Sequence, residues 1–282
     1  MAYDYETIDC TSINGILTAT LNNPPVNVMS LTLYQDLSGF TAEVAQDDDV
    51  KVVVFQSANP GFFIAHFDVE LILAFPSEGE PEKATKLNEF HQMCMRLRTM
   101  PKATIAKIAG RAGGGGNEFA SNCDMRFGVR NKTIINQMEV ALGILPGGTG
   151  TQAIPRLVGR NRAMEIMLGS DDIDADTAER WGYLNRIFDT TRELDEFVDQ
   201  FTKRIAGWSP EAIALCKQSI NNAELPLEEG LLEEAYLFQK TLRSRDAQIS
   251  MRKALDLGAQ TMEGEVRIAA LCLEVARAIK DS

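Results

Sequence analysis

The sequence of 282 residues is poor in the side chains that usually hold metals. Its only two histidines, His66 and His91, lie far apart along the chain. Its five cysteines are scattered and form no CxxC pair. Structural zinc sites are built from clustered cysteine and histidine ligands, so the sequence disfavours such a site and we expect no metal. An odd number of dispersed cysteines is typical of reduced thiols in a cytosolic protein.

Positive charge and long apolar runs are also scarce. The chain has 28 Lys and Arg against 40 Asp and Glu, a formal net charge of −12. Nucleic-acid affinity comes largely from Lys and Arg that neutralise phosphates, so this balance disfavours a nucleic-acid partner. No apolar run reaches the roughly 18 residues of a membrane span. The segment Met1–Cys10 is acidic and lacks the apolar core of a signal peptide, so we expect a cytoplasmic protein.

Apolar periodicity predicts an α/β protein in two regions. Strands alternate with helices over residues 1–190, and residues 191–282 carry only helical patterns. The predicted strands are 5–10, 16–21, 51–56, 104–108, 124–129 and 184–188. The predicted helices include about 31–45 and 81–99, short helices between 151 and 182, and the C-terminal segments 191–206, 209–222, 227–244, 245–259 and 263–280.

Four consecutive glycines, Gly113–Gly116, follow the predicted strand 104–108 and precede a predicted helix that contains Glu118. Glycine in an ordered segment costs roughly 0.5–1 kcal/mol relative to alanine, so such a run indicates a close backbone approach or a special turn. A helix that begins at these glycines directs backbone N–H groups and a positive helix end towards an anion or a developing oxyanion.

Phosphate binding fits this segment poorly. A P-loop requires Lys-Ser or Lys-Thr after its last glycine, and Asn117-Glu118 follows here. A dinucleotide fingerprint would place Glu118 where its third glycine belongs, and a carboxylate there would repel phosphate. A carboxylate beside an oxyanion site instead suits acid–base chemistry on a neutral acyl group. The alternative is a loop that only packs a helix against a strand.

Several segments together resemble the enoyl-CoA hydratase/isomerase (crotonase) superfamily over nearly the whole chain, and the resemblance falls off after about residue 245. The similar segments are Thr20–Asn27, with Asn23 in place of arginine; Phe63–Leu71; Gly110–Asp124, the most specific match; Glu139–Gln152, with Thr149 in place of a glycine; and the downstream segments 168–178 and 182–185.

The resemblance implies a crotonase-like spiral of ββα units, followed by an all-helical C-terminal region used for oligomerisation. It implies an acyl-CoA thioester as substrate, with coenzyme A as part of that substrate and no separate cofactor. The expected assembly is a homotrimer or a dimer of trimers.

The resemblance also assigns the site. The backbone N–H groups of Phe67 and Gly115 match the oxyanion hole that polarises the thioester carbonyl. Glu118 matches the carboxylate that acts on water, and Glu139 the group that delivers a proton to Cα. Retention of both carboxylates favours hydration over isomerisation. Taken alone, Glu118 would be a first-turn residue on a helix dipole and Glu139 an exposed helix residue.

The remaining expected substrate-binding residues flank these groups: Ile64, Ala65, His66, Asp68 and Gly114. His66 stands where the family has glycine, and it either takes part in substrate selection or proton transfer or only packs. Phe67 replaces a smaller residue, so its ring is expected to reshape the acyl pocket. The residues that contact coenzyme A are not assigned.

The resulting hypothesis is an enoyl-CoA hydratase that adds water syn to a trans-2-enoyl thioester. Enoyl-CoA isomerisation, decarboxylation and aromatic enoyl-CoA hydratase–lyase chemistry remain alternatives, because the fold does not select among them. A non-catalytic scaffold or binding protein is the alternative from another class.

Overall fold

The computed structural model describes residues 3–280, so Met1, Ala2, Asp281 and Ser282, at the outer ends of the two predicted regions, lie outside the described residues. The strands are β1 (Ile8–Ile13), β2 (Ile16–Leu21), β3 (Val52–Ser57), β4 (Phe62–Ile64), β5 (Ala103–Ile108), β6 (Arg111–Gly113), β7 (Met125–Val129), β8 (Ile134–Asn136), β9 (Ile173–Asp174) and β10 (Arg186–Phe188). The helices are α1 (Leu31–Ala45), α2 (Val69–Leu73), α3 (Glu89–Thr99), α4 (Gly114–Ser121), α5 (Gly150–Val158), α6 (Arg160–Gly169), α7 (Ala175–Arg180), α8 (Thr191–Ala206), α9 (Pro210–Asn221), α10 (Leu227–Arg243), α11 (Arg245–Asp256), α12 (Met262–Val266) and α13 (Ile268–Lys280).

Strands β1 and β2 form an antiparallel hairpin. Asn14 and Gly15 both have positive φ, 53° and 81°, as a two-residue hairpin turn of type I′ requires. The turn pairs Ile13 with Ile16, so β1 runs up to the turn and occupies 8–13. The predicted range of 5–10 for this strand was wrong, because the turn fixes the register from its own position rather than from the apolar pattern upstream.

Two sheets form the framework. The larger has the strand order β1-β2-β3-β5-β7-β10, and the smaller has the order β4-β6-β8-β9. Three times in succession the chain places a strand in the large sheet, then a short strand in the small sheet, and then a helical segment: β3–β4, β5–β6 and β7–β8. The predicted ββα repetition is therefore present. The small-sheet strands have only two or three residues, too few for an alternating pattern to reveal them in the sequence.

Helix α1 has the predicted bounds, whereas α3 departs from the prediction. On α1 Leu33, Leu37, Phe40 and Val44 are buried and Leu31 is exposed. Helix α3 begins at Glu89, where the Asn88 side chain accepts a hydrogen bond from His91 N at 2.8 Å. The predicted start near residue 81 was wrong, because the polar stretch before Asn88 has no apolar face to bury.

Residues 191–280 contain helices and no strand, as expected. Helix α8 covers the outer face of the large sheet, where Leu194 and Val198 form a second apolar core with Val52, Ile105 and Phe127. Within residues 3–280, no helix has both the length and the apolar character needed to cross a membrane. The division at residue 190 and the oligomerisation role of the helical region stay predictions.

The close contact between α4 and β4 leads to a testable prediction for Gly116. A Cβ at this position would lie 2.5 Å from Ile64 O and 2.6 Å from Ile64 Cβ, both on a buried strand. We expect Gly116→Ala to lower the free energy of unfolding by about 1–3 kcal/mol, the usual cost of overpacking. Urea unfolding measures this, with Gly169→Ala as control because, within residues 3–280, a Cβ there meets no atom within 4 Å apart from its chain neighbours and its own helix backbone. Equal midpoints for both variants would contradict the tight contact.

Candidate active site

The first turn of α4 lies against the backbone of Phe67. Strand β6 ends at Gly113, and α4 begins at Gly114 with a φ of 45°. A Cβ at Gly115 would lie 2.9 Å from Phe67 Cβ and 3.3 Å from Phe67 N. The glycine run is therefore explained by close approach: a larger residue at 115 would push the two segments apart.

The backbone of Phe67 is fixed by a bridge to Met29. Met29 N donates to His66 O at 2.8 Å, and Asp68 N donates to Met29 O at 3.1 Å. Successive N–H groups of an extended chain point to opposite sides, so the Phe67 N–H points away from Met29. The Gly115 N–H belongs to the first turn of α4, where a backbone donor has no acceptor within the helix.

Glu118 lies on α4 and is almost fully buried. Its Oε1 accepts hydrogen bonds from Gly148 N at 2.8 Å and from Gly150 N at 2.7 Å. Burial raises the pKa of Glu118 to about 7, while the Gly150 N–H acts to lower it. The nearby charge of Glu139 raises this pKa further and the Gly148 N–H lowers it. A carboxyl group tuned in this way can accept and release a proton near neutral pH.

Glu139 follows β8 and is also buried. Its Oε2 accepts a hydrogen bond from Gln137 Nε2 at 3.1 Å, and its Oε1 would lie 2.8 Å from a Cβ at Gly114. Burial raises the pKa of Glu139, while its own backbone N–H, the Gln137 amide and the positive charge of His66 act to lower it. Two buried carboxyl groups with raised pKa values therefore belong to one site.

These groups open onto one cavity of about 1080 Å³. Phe67, Gly115, Glu118 and Glu139 all line it. The other lining residues are Leu31, Tyr34, Leu71, Ile72, Ala74, Phe75, Asn88, Glu89, Phe90, Gly143, Ile144, Leu145, Gly147 and Gly148. The cavity thus joins two backbone donors and two carboxyl groups to a mostly apolar wall, as is usual for a small-molecule site.

Three aromatic rings form part of this wall. The ring of Tyr34 stacks on Phe90 with centroids 5.9 Å apart, and Phe67 meets both rings edge-on at 5.7 and 6.0 Å. The apolar patterns of the predicted helices 31–45 and 81–99 do not distinguish Tyr34 and Phe90 from core residues, so periodicity alone missed their position in the site. Gln137 was missed as well; its position two residues before Glu139 is the signal that could have identified it.

None of the five other expected substrate-binding residues lines the cavity. Ile64 packs against Gly116, and the Ala65 carbonyl oxygen fills the space beside Gly113. Asp68 caps α2 by accepting from Glu70 N at 2.8 Å. His66 Nδ1 lies 2.9 Å from Phe67 O, and Gly114 lies between His66 and Glu139. These residues support the walls of the site, and their contact with substrate stays a prediction.

Thr149 has an unusual backbone at the loop that holds Glu118. Its φ of 108° is in the region that favours glycine. Its hydroxyl accepts a hydrogen bond from Asn122 Nδ2 at 2.7 Å, and Asn122 Nδ2 also donates to Glu118 O at 2.7 Å. The threonine that replaces a family glycine therefore ties the 148–150 loop to α4.

The raised pKa of Glu118 makes stability depend on pH. Between the ordinary value of 4.5 and about 7 the folded protein binds the proton more tightly than the unfolded chain. Stability is therefore lost as pH rises through this window. Glutamine keeps an oxygen for the Gly148 and Gly150 N–H groups and carries no charge. We expect the free energy of unfolding of Glu118→Gln, relative to that of the wild type, to increase by about 2–3 kcal/mol from pH 4.5 to pH 8.

Urea unfolding at both pH values tests this expectation. Glu89→Gln is the control, because Glu89 lines the same cavity but is exposed. If the stability difference between Glu118→Gln and wild type is the same at both pH values, the pKa of Glu118 is not raised in the folded protein.

Comparisons with known proteins place the chain among related sequences and structures. A sequence profile described as enoyl-CoA hydratase/isomerase matches residues 11–258. The chain is 32% identical to a probable mitochondrial enoyl-CoA hydratase 2 of Arabidopsis thaliana, over 83% of this chain and 77% of that protein. It is 31% identical to a 2,3-dehydroadipyl-CoA hydratase of Escherichia coli, over 82% of this chain and 88% of that protein.

A crystal structure of a putative enoyl-CoA hydratase from Streptomyces avermitilis is also similar. It is 37% identical, with a TM-score of 0.69, and the match covers 97% of this chain and 100% of that one. The predicted fold class, with its mixed α/β core and helical C-terminal region, is confirmed.

Proposed function

The chain belongs to the enoyl-CoA hydratase/isomerase family, and we propose that it adds water syn across the double bond of a trans-2-enoyl-CoA thioester. The observation that carries this proposal is the convergence of Phe67, Gly115, Glu118 and Glu139 on one cavity. Relatives whose names specify hydratases support it. No separate cofactor is needed, because coenzyme A is the activating part of the substrate.

In the proposed mechanism the thioester oxygen accepts hydrogen bonds from the N–H groups of Phe67 and Gly115. These donors stabilise the negative charge that develops on this oxygen when water attacks Cβ and the double-bond electrons move towards the carbonyl. The close approach of the two backbone segments, with a Cβ at Gly115 only 3.3 Å from Phe67 N, supports this role.

The carboxyl groups have complementary roles. Glu118 in its ionised form takes a proton from the attacking water, and Glu139 in its protonated form delivers a proton to Cα. This division requires one proton on the pair, and the repulsion from Glu139 that raises the pKa of Glu118 disfavours ionisation of both groups. The product is a 3-hydroxyacyl thioester. Glu118 is then protonated and Glu139 is ionised.

A substrate panel tests the reaction. Loss of enoyl absorbance with crotonyl-CoA and with longer 2-enoyl thioesters is the expected result. Double-bond migration without water addition would favour an isomerase, and carbon dioxide release from a carboxyacyl thioester a decarboxylase. Absence of any turnover, with acyl-CoA binding retained, would favour a non-catalytic binding protein.

The aromatic wall favours one second candidate. Stacking and edge-on contacts with Tyr34, Phe67 and Phe90 suit an aryl group on the acyl chain. Hydration of such a substrate, followed by cleavage of the Cα–Cβ bond, would release an aromatic aldehyde and, after protonation of Cα, acetyl-CoA. Aldehyde formation from an aromatic enoyl thioester would therefore replace simple hydration as the assignment.

We also propose self-association through the helical region, as a homotrimer or a dimer of trimers. Helix α10 exposes several large apolar side chains, among them Leu227, Leu232 and Phe238. Exposed apolar patches of this kind are typical of association surfaces. Sedimentation equilibrium tests the stoichiometry, and a monomer at micromolar concentration would reject it.

A further inference from the structure

A row of buried polar side chains outside the cavity lining leads to Glu139. Tyr183, Asn117 and Gln137 are each fully buried. They come from three separate parts of the chain: Asn117 from α4, Gln137 from the segment after β8, and Tyr183 from the segment between α7 and β10. Of these three residues, none lines the cavity.

Their hydrogen bonds form one continuous chain. The Tyr183 hydroxyl donates to Asn117 Oδ1, and Asn117 Nδ2 donates to Gln137 Oε1 at 2.7 Å. Gln137 Nε2 then donates to Glu139 Oε2 at 3.1 Å. Every donor points the same way, so the chain ends on the oxygen that carries negative charge when Glu139 is ionised.

Burial of a hydroxyl and two amides is costly unless each polar group is paired. Here each group finds its partner in the next, and Asn117 Nδ2 also donates to Asn136 O at 3.4 Å, so removal of one link loosens the amide that follows it. We propose that Tyr183 and Asn117 are positioning residues that act through Gln137 to hold the Glu139 carboxyl group in a fixed direction. Only the kinetic consequence of this proposal rests on the proposed function.

Other charges face the same groups. Glu139 raises the pKa of Glu118 from α4, and His66 from the segment before α2 lowers the pKa of Glu139. The Arg126 guanidinium lies 5.3 Å from the centre of the Tyr183 ring and donates to Cys123 O at 2.7 Å. Tyr183→Phe keeps the ring and all of these charges. A change at Glu139 in that variant must therefore travel through the hydrogen-bond chain.

The first test is the pH profile of Tyr183→Phe. We expect kcat to fall about tenfold with KM unchanged. This is the lower end of the loss known for residues that orient a metal-ligating side chain, applied here to an oriented carboxyl group. In the wild type a well-directed Gln137 N–H lowers the pKa of Glu139. The variant loses this direction, so the pKa rises and the basic limb of the profile moves to higher pH. Asn117→Leu breaks the same chain, so the double variant should lose no more than the larger single loss.

Tyr5→Phe is the matched control. The Tyr5 hydroxyl donates to Glu43 at 2.6 Å, and its ring packs edge-on against Phe40. Its removal costs a comparable hydrogen bond outside the site, so stability falls while the pH profile stays unchanged. If Tyr183→Phe behaves in the same way, or if the losses of Tyr183→Phe and Asn117→Leu simply add, the positioning role is overturned.

A direct titration separates this proposal from the proposed function. Protein labelled with carbon-13 at the glutamate carboxyl groups reports each titration by NMR, and Glu139→Gln identifies the Glu139 signal. An upward shift of the Glu139 titration in Tyr183→Phe supports the positioning role even if no enoyl thioester is hydrated. An unchanged titration overturns it even if hydration is observed.

Discussion

Glu139→Gln is expected to lower kcat for hydration by about 10²–10⁴, the usual contribution of a positioned acid or base. Glutamine has the same shape and can still accept the Gln137 N–H bond that Glu139 accepts at 3.1 Å. It has no proton that it can deliver to Cα. The loss should therefore fall on kcat, while KM and the thermal midpoint stay close to the wild-type values.

Exchange of the Cα proton with deuterated solvent separates the two carboxyl groups. Glu118→Gln should abolish hydration but retain Cα exchange in a saturated acyl-CoA, whereas Glu139→Gln should lose both. Glu89→Gln serves as the control, because Glu89 lines the same cavity. Its activity should stay within about twofold of that of the wild type. Retention of full hydration in Glu139→Gln would remove it from the mechanism.

Gly115→Ala is the second large effect. Its Cβ would lie 2.9 Å from Phe67 Cβ and 3.3 Å from Phe67 N, so the two backbone segments must separate. A displaced donor no longer meets the thioester oxygen, and loss of one such donor costs about 10²–10³ in kcat. We expect a loss of this size, measured by steady-state hydration kinetics.

Gly147→Ala is the matched glycine variant. It lines the same cavity, but its Cβ would lie 3.7 Å from Leu145 O, an ordinary contact. Its activity should stay near that of the wild type. A similar loss in both variants would mean that added bulk anywhere in the cavity inhibits, and it would contradict a special role for the Gly115 amide.

The structure shows which parts of the fold local signals can predict. Helix α8 begins and ends where the sequence indicates, because Thr190 and Glu193 form a capping box and Gly207 follows the last turn. The start of α3 was misplaced because Pro81 resembles a first helical residue, although no apolar face follows it until Glu89. The strands of the small sheet exist through pairing with distant segments, which no local pattern encodes.

The site likewise contains some residues that the sequence indicates and others that only the tertiary structure brings together. The glycine run indicated a backbone donor beside Glu118, the family resemblance assigned the two donors and two carboxyl groups, and the structure brings Phe67, Gly115, Glu118 and Glu139 to one cavity. The contribution of Tyr34 to the wall depends on the rotation of α1, which buries Leu33 rather than Leu31. The chain from Tyr183 to Glu139 joins residues up to 66 positions apart, so only tertiary structure reveals it.

A crystal structure with a bound 3-oxoacyl-CoA tests the central claim most directly, because this thioester has an enolate form and no double bond to hydrate. The account predicts its thioester oxygen about 2.7–3.1 Å from both Phe67 N and Gly115 N, with the carboxyl groups of Glu118 and Glu139 beside the adjacent carbons. A thioester bound elsewhere in the cavity, or one that meets neither N–H group, would contradict it.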